Sequence, residues 1–240
     1  MKNRKFYLFV IAVLAIAFSA GAQQWQHCGP NTFDGEHRNE AGGFLVLGGN
    51  SVTNFFMGPE LTYRRFINNR WYVGGATEMQ FGKQKFGIYG QGAYVLPAGK
   101  FNFHFRGKMM YNRYHKFRTN EWSYNLSAVW EAKHFDMTLG VSYVNFRLLE
   151  SSHWERPSLQ FGFGAHIRPR TNSWNIGIFA RNYDEFYYEH WNINWGFNYY
   201  ASLAKNLKMY GEFTVRPAGS TSQLATHYEF SFKTGVKYVW

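Results

Sequence analysis

The stretch "KFNFHFRGKMMYNR" (residues 100–113) alternates, residue by residue, between uncharged, mostly apolar side chains and mostly polar ones. Phe103 and Phe105 belong to the first series, and Arg106 and Lys108 belong to the second. Successive side chains of a β-strand point to opposite faces, so this stretch predicts a strand with one apolar and one polar face. Whether the apolar face contacts a protein core or lipid decides what the chain can fold into.

The same alternation recurs along most of the chain, while helical periodicity is absent. No stretch after residue 22 has 18 consecutive apolar residues, so no membrane helix is expected there. The polar connections between the segments fall into two sets that alternate along the chain. One set is short and the other is mostly longer, as in an up-and-down barrel. The pattern predicts 12 strands, with 10 as the alternative; the segments are 43–50, 53–66, 70–82, 85–96, 100–113, 121–132, 134–147, 157–168, 173–183, 190–203, 206–216 and 227–240.

The apolar faces indicate contact with a bilayer. They carry no charge through their centres, and Trp and Tyr gather towards their ends, as Trp122 and Trp130 do in segment 121–132. Aromatic girdles beside an apolar band are typical of lipid-facing strands, whereas a secreted soluble sandwich or barrel, the alternative, has no need of them. A sheet in lipid must close on itself. We therefore predict an all-β fold, a closed antiparallel up-and-down transmembrane β-barrel.

The N-terminus predicts export. Basic residues precede the apolar run "FYLFVIAVLAIAF" (6–18), and "AGA" (20–22) fits a cleavage site. We expect a cleaved signal peptide over residues 1–22, a periplasmic segment over 23–41 and one barrel domain over 42–240. Removing the peptide lowers the formal charge from +11 to +8, because three of the 26 basic residues and no acidic ones are lost.

The remaining composition excludes several kinds of protein. The basic residues are dispersed through strand-like segments, so a nucleic-acid partner is not expected. Cys28 is the only cysteine, which excludes an internal disulfide. It lies ten residues past the apolar run, so lipid attachment is not expected either.

The chain resembles the bacterial outer-membrane β-barrel class over almost its whole mature length. The ending "FSFKTGVKYVW" (230–240) resembles that class's C-terminal strand, which ends in an aromatic residue, here Trp240, and is bound by the barrel-assembly machinery. Gln23 after the cleavage site and the aromatic, Asn-rich composition resemble proteins of the Bacteroidota. The resemblance implies the bacterial outer membrane as location, with its lipid and the assembly machinery as partners. No specific functional family is recognised.

Catalytic chemistry is not indicated. No histidine lies in an H-x-S-N-G-like stretch such as outer-membrane phospholipases carry. His104, His134 and His166 fall on polar faces, which predicts interior hydrogen-bonding groups. We expect no catalytic residue, metal or cofactor, and keep a lipid-modifying enzyme as the least favoured alternative.

The interior of the predicted barrel carries charge at mid-depth. Buried charges must be paired or hydrated. Paired charges would close the interior and leave a structural envelope component, whereas a hydrated basic excess would line a narrow, weakly anion-preferring pore. The lumen candidates are Glu60, Glu78, Arg106, Lys108, Glu212 and Lys233, with further basic groups at Arg64, Arg168, Arg181 and Lys237.

A surface protein that binds or docks through its loops is the other alternative. The acidic and aromatic residues of loops 149–156 and 184–190 could contact a ligand, although their spacing lacks an ordered metal-binding pattern. The candidates are Trp154, Asp184, Glu185, Tyr187, Tyr188, Glu189 and His190. The sequence leaves the ligand and the oligomeric state open.

Overall fold

The computed structural model describes residues 35–51, 54–116, 118–148, 151–154, 157–169, 173–183, 193–216 and 228–240. The strands are β1 Asn39–Asn50, β2 Asn54–Phe66, β3 Trp71–Gln80, β4 Lys85–Ala98, β5 Phe101–Tyr114, β6 Thr119–Glu131, β7 Phe135–Leu148, β8 Ser151–Trp154, β9 Ser158–Ile167, β10 Trp174–Arg181, β11 Asn194–Ser202, β12 Leu207–Arg216 and β13 Glu229–Val239. Within these ranges, no helix is long and apolar enough to span a bilayer.

The strands form one closed antiparallel ring. Consecutive strands pair along the chain, except that β9 pairs with β7 and not with β8, and β13 pairs with β1 to close the wall. β8 pairs with Asn145–Leu148 of β7, whereas β9 pairs with Phe135–Ser142 of the same strand, so β8 and β9 are two pieces of one wall strand. The ring therefore has 12 strands, which confirms the predicted up-and-down barrel.

The two ends of the barrel differ in their connections. One end carries the start of β1 and the end of β13, joined by the pair Glu40 and Val239, together with the shorter turns such as 99–100 and 132–134. The opposite end carries longer connections, including 182–193 and 217–228. Short turns face the periplasm in bacterial barrels. We call these the periplasmic end and the outer end.

The outside of the wall is apolar and the inside is polar. Leu126 is 66% exposed, Ile178 65% and Leu139 56%, all on the outer face, whereas Asn112 and Ser123 on the inner face are fully buried. Exposed large apolar side chains surround the whole wall, far beyond the isolated patches of a water-soluble protein. The outer surface thus faces lipid, and Phe105 of the alternating stretch lies on it.

The first strand is longer than the sequence pattern predicted. β1 begins at Asn39, four residues before the predicted segment 43–50, because glycines obscure the alternation there. A Cβ atom at Gly42 would lie 2.6 Å from Thr62 Oγ1 and 2.7 Å from the Phe44 ring. The crowded interior at this position therefore requires a residue without a side chain.

Candidate functional site in the lumen

A cavity of about 500 Å³ occupies the lumen from the periplasmic end to mid-depth. His37 and Val239 line its periplasmic mouth, and Lys108 and Glu212 line its deeper part. Its size is that of a site for one small molecule. The cavity exists because twelve strands enclose more space than their inward side chains fill.

The walls of this cavity carry more basic than acidic residues. The eight Lys and Arg residues are Arg64, Arg106, Lys108, Arg168, Arg181, Lys208, Lys233 and Lys237. The five Asp and Glu residues are Glu40, Glu60, Glu131, Asp136 and Glu212. Five of the six predicted lumen residues are among them. Glu78 lies outside the cavity, buried against Lys85 at 2.5 Å.

Ion pairs in the lumen reach across intervening strands. Lys233 on β13 donates to both carboxylate oxygens of Glu60 on β2, at 2.8 and 3.2 Å, across β1. Arg181 on β10 donates to Glu212 on β12 at 2.6 Å, across β11. Glu212 and Lys233 are register partners, as their consecutive strands predict. Glu212 and Lys233 do not pair with each other, and each has its counter-ion two strands away. The wall is curved, so inward side chains of non-adjacent strands approach one another.

The remaining acidic groups of the cavity also have basic partners. Lys237 donates to Glu40 at 3.0 Å near the periplasmic mouth. Glu131 contacts His104 at 2.9 Å, with both side chains buried. Asp136 contacts His166. Each of the five acidic side chains of the cavity therefore has a Lys, Arg or His side chain as its partner.

His134 differs from its predicted place. It is exposed at the end of the turn 132–134, and its Nδ1 is 3.1 Å from the His166 carbonyl oxygen. The alternation placed it inside the barrel, but β7 begins one residue later, at Phe135. His104 and His166 do face the lumen.

Two basic residues of β5, which we call the β5 patch, lie where no acidic residue is a cross-strand neighbour. They are Arg106 and Lys108. The Arg106 Nε donates to Ser127 Oγ at 3.3 Å, and the Lys108 Nζ lies 4.2 Å from the centre of the Tyr89 ring. Their cross-strand partners are uncharged, with Ala93 and Ser127 beside Arg106 and Gln91 and Asn125 beside Lys108.

A cluster of inward-facing side chains lies beyond the cavity, towards the outer end. We call this group the outer seal; it comprises Phe56, Lys83, Asn112, Arg216 and Glu229. Phe56 and Asn112 are fully buried, and none of the five lines the cavity. Lys83 is 2.5 Å and Arg216 3.4 Å from the Glu229 carboxylate, and the Lys83 Nζ lies 3.9 Å from the centre of the Phe56 ring.

Lys83 belongs to the turn 81–84 between β3 and β4, so a short outer turn reaches to the start of β13. Gln84 in this turn has a φ of 49°, and the Phe81 amide donates to the Met57 carbonyl at 2.8 Å. Burial lowers the pKa of Lys83, although the Glu229 carboxylate acts in the opposite direction. Sequence alternation could not reveal this contact, because a turn residue belongs to neither face.

The candidate loop site cannot be placed in the same way. Only the backbone of Trp154 is described, and Asp184, Glu185, Tyr187, Tyr188, Glu189 and His190 lie outside the described residues. Loop binding therefore stays a prediction. In the described part of the chain, no three His, Cys, Asp or Glu side chains are grouped so that they could hold a metal ion.

A closed antiparallel barrel with an apolar outer wall and a charged lumen defines the class of outer-membrane β-barrels. No protein-family model matches the chain, and no curated protein matches it. Solved structures share the fold. The KdgM porin, solved alone and in complex with disordered oligogalacturonate, is 12% identical with a TM-score of 0.54, covering 83% of this chain and 99% of that one.

An active-site variant of outer membrane phospholipase A from Escherichia coli is 9% identical with a TM-score of 0.50, covering 88% of this chain and 93% of that one. Identities this low concern the fold alone. Fold and wall chemistry together make the chain a twelve-stranded β-barrel of the bacterial outer membrane.

Proposed function

We propose that this barrel is a narrow pore that weakly prefers small anions and has no catalytic activity of its own. The observation that carries the proposal is the composition of the cavity wall, with eight Lys and Arg against five Asp and Glu. A ring of basic side chains favours anions over cations in a water-filled constriction.

The pairing of the acidic groups strengthens this preference. Lys233, Lys237 and Arg181 each neutralise one carboxylate, while the other two carboxylates contact histidines. The wall as a whole still carries three more Lys and Arg residues than Asp and Glu residues, eight against five. A solute in the cavity therefore meets a net positive field.

The outer seal supports a narrow pore rather than a wide one. Its side chains, with Phe56 fully buried, lie between the cavity and the outer end and narrow the lumen there. Conduction then requires these side chains to move apart, so we expect a small unitary conductance. A lumen that never opens would leave the structural envelope component that the sequence also allows.

Planar-bilayer recording tests the proposal. We expect wild-type protein to conduct and to show a reversal potential that favours chloride over potassium. Arg106→Glu/Lys108→Glu should move that potential towards potassium, because both side chains line the cavity. Lys205→Glu is the control, since Lys205 lies in an exposed periplasmic turn outside the cavity.

One result would contradict the pore, and another would contradict the role of the β5 patch in selectivity. If neither wild type nor the double variant conducts, the barrel is closed and structural. If wild type conducts but the double variant keeps its ion preference, the β5 patch does not set selectivity.

We further propose the processing and assembly that the sequence predicts. Cleavage after Ala22 would leave a periplasmic segment that ends at residue 38, because the barrel begins with β1 at Asn39 and not at the predicted residue 42. Strand β13 would be bound by the barrel-assembly machinery. Its last aromatic groups, Tyr238 and Trp240, stack with ring centres 5.7 Å apart and are half-exposed on the outer wall, which supports an accessible C-terminal signal.

A further inference from the structure

The counter-ions of the lumen are distributed unevenly. Lys233 and Lys237 of β13 are paired with Glu60 and Glu40 on the neighbouring part of the wall. On β6 and β7, the carboxylates are held by histidines. The β5 patch lies next to β6 but pairs in register only with uncharged residues. The strands on either side of the β5 patch therefore place no negative charge directly beside Arg106 or Lys108.

Arg106 has the chemistry of an anion ligand in this position. It lines the cavity, and among the described residues its hydrogen bond is from Nε to the neutral Ser127 hydroxyl. None of the described carboxylates lies within ion-pair distance of it. A guanidinium group offers five donors in a planar fork, and the Ser127 contact uses Nε alone.

The shape of this fork selects the ligand. A carboxylate accepts two parallel hydrogen bonds from a guanidinium, an arrangement that a spherical anion such as chloride cannot make. Lys108 lies two residues further along the same face, about 7 Å away along the strand. It places a second positive charge within reach of the same ligand.

We infer that Arg106, assisted by Lys108, forms a binding site for the carboxylate of a small organic acid inside the cavity. The inference rests on the proposed pore for the route by which the ligand enters, and it adds the chemical class of that ligand. Binding itself does not require conduction, so the two can be tested separately.

The test uses the folded full-length barrel in detergent micelles, with succinate as the probe. Saturation-transfer NMR should show transfer from protein to the succinate methylene protons and none to succinamide, its neutral analogue. Arg106→Lys should lose most of this signal although it keeps the charge, because lysine has no fork. Arg168→Lys, at another cavity-lining arginine, is the matched control and should keep it.

Each result bears on the site. Equal signals from wild type and Arg106→Lys would refute recognition of the carboxylate by the guanidinium fork. If chloride displaced succinate as well as a second carboxylate does, binding would be general electrostatic attraction. The absence of transfer in wild type would overturn the site whether or not the barrel conducts. Transfer in a barrel that does not conduct would keep the site and remove the pore.

Folding of every variant is checked by heat-modifiable migration on gels. Lys108→Gln provides a second variant if Arg106→Lys does not fold. It leaves the fork in place, so the inference predicts a weakened but persistent signal, and an unchanged signal would exclude Lys108 from the site.

Discussion

Phe197 and Asn198 are neighbours on β11 that face opposite sides of the barrel wall at mid-strand. Phe197 is 44% exposed on the outer wall, and its ring lies 5.5 Å from that of Phe213. Asn198 lines the cavity, and its register partner on β12 is Glu212. Placing a lysine at each position therefore puts the same charge at the same depth on the two faces.

The two substitutions should differ by several kcal/mol. A lysine at the bilayer midplane of a barrel's lipid face costs about 2–4 kcal/mol, and loss of the aromatic pair adds about 1 kcal/mol. Phe197→Lys should therefore lower the free energy of unfolding by about 3–5 kcal/mol. Asn198→Lys places its ammonium in the polar lumen beside a carboxylate, so we expect a change within about 1 kcal/mol.

Reversible urea unfolding of protein refolded into lipid vesicles, followed by tryptophan fluorescence, measures both values. In detergent micelles the outer wall contacts a thinner apolar layer. The difference in unfolding free energy between Phe197→Lys and Asn198→Lys should therefore be smaller there. Equal destabilisation by the two substitutions would refute the assignment of lipid to the outer face and favour a water-soluble barrel.

Three further predictions concern the outer end of the lumen. Glu229→Gln should cost about 3–5 kcal/mol in the same unfolding assay, and more than Lys83→Met, because it leaves both Lys83 and Arg216 without this carboxylate; the reverse order would contradict the pairing. Burial lowers the pKa of Lys83 below its ordinary value of 10.5, so between the two pKa values the unfolded chain binds more protons and the free energy of unfolding should rise with pH. Lys83→Met should flatten that rise, and an unchanged slope would assign it to another group. Gly58→Ala should reduce the yield of heat-modifiable protein, because a Cβ atom there would overlap the Met79 carbonyl oxygen, and normal yield would show that β3 can shift.

Much of the fold follows from alternation alone. Strand β5, at Phe101–Tyr114, nearly coincides with the predicted segment 100–113, because a period of two leaves few choices where one face meets lipid and the other water. The division of one wall strand into β8 and β9 could not be predicted in this way. β8 pairs with β7 over four residues before β9 pairs with an earlier part of the same strand, and hydrophobic patterning does not encode where such a pairing is interrupted.

The lumen was predictable in composition but not in pairing. Inward positions such as Glu60 and Lys233 follow from the face they occupy, yet their ion pair crosses β1 and depends on the curvature of the wall. The contact of Lys83 with Glu229 was missed for a related reason, since it joins a turn to a distant strand. The partner of a long side chain depends on the three-dimensional course of the wall. The sequence pattern specifies only whether the side chain points into the lumen or towards lipid.

The position of the cavity sets which solution the site at Arg106 samples. Its lining begins at the periplasmic mouth and ends below the outer seal. Because the described mouth of the cavity lies at the periplasmic end, we expect occupancy of the proposed site to follow the concentration of organic acids in the periplasm. A periplasmic solute would then be bound in the lumen before the side chains of the outer seal separate. Each opening of the proposed pore would begin with that solute already in place.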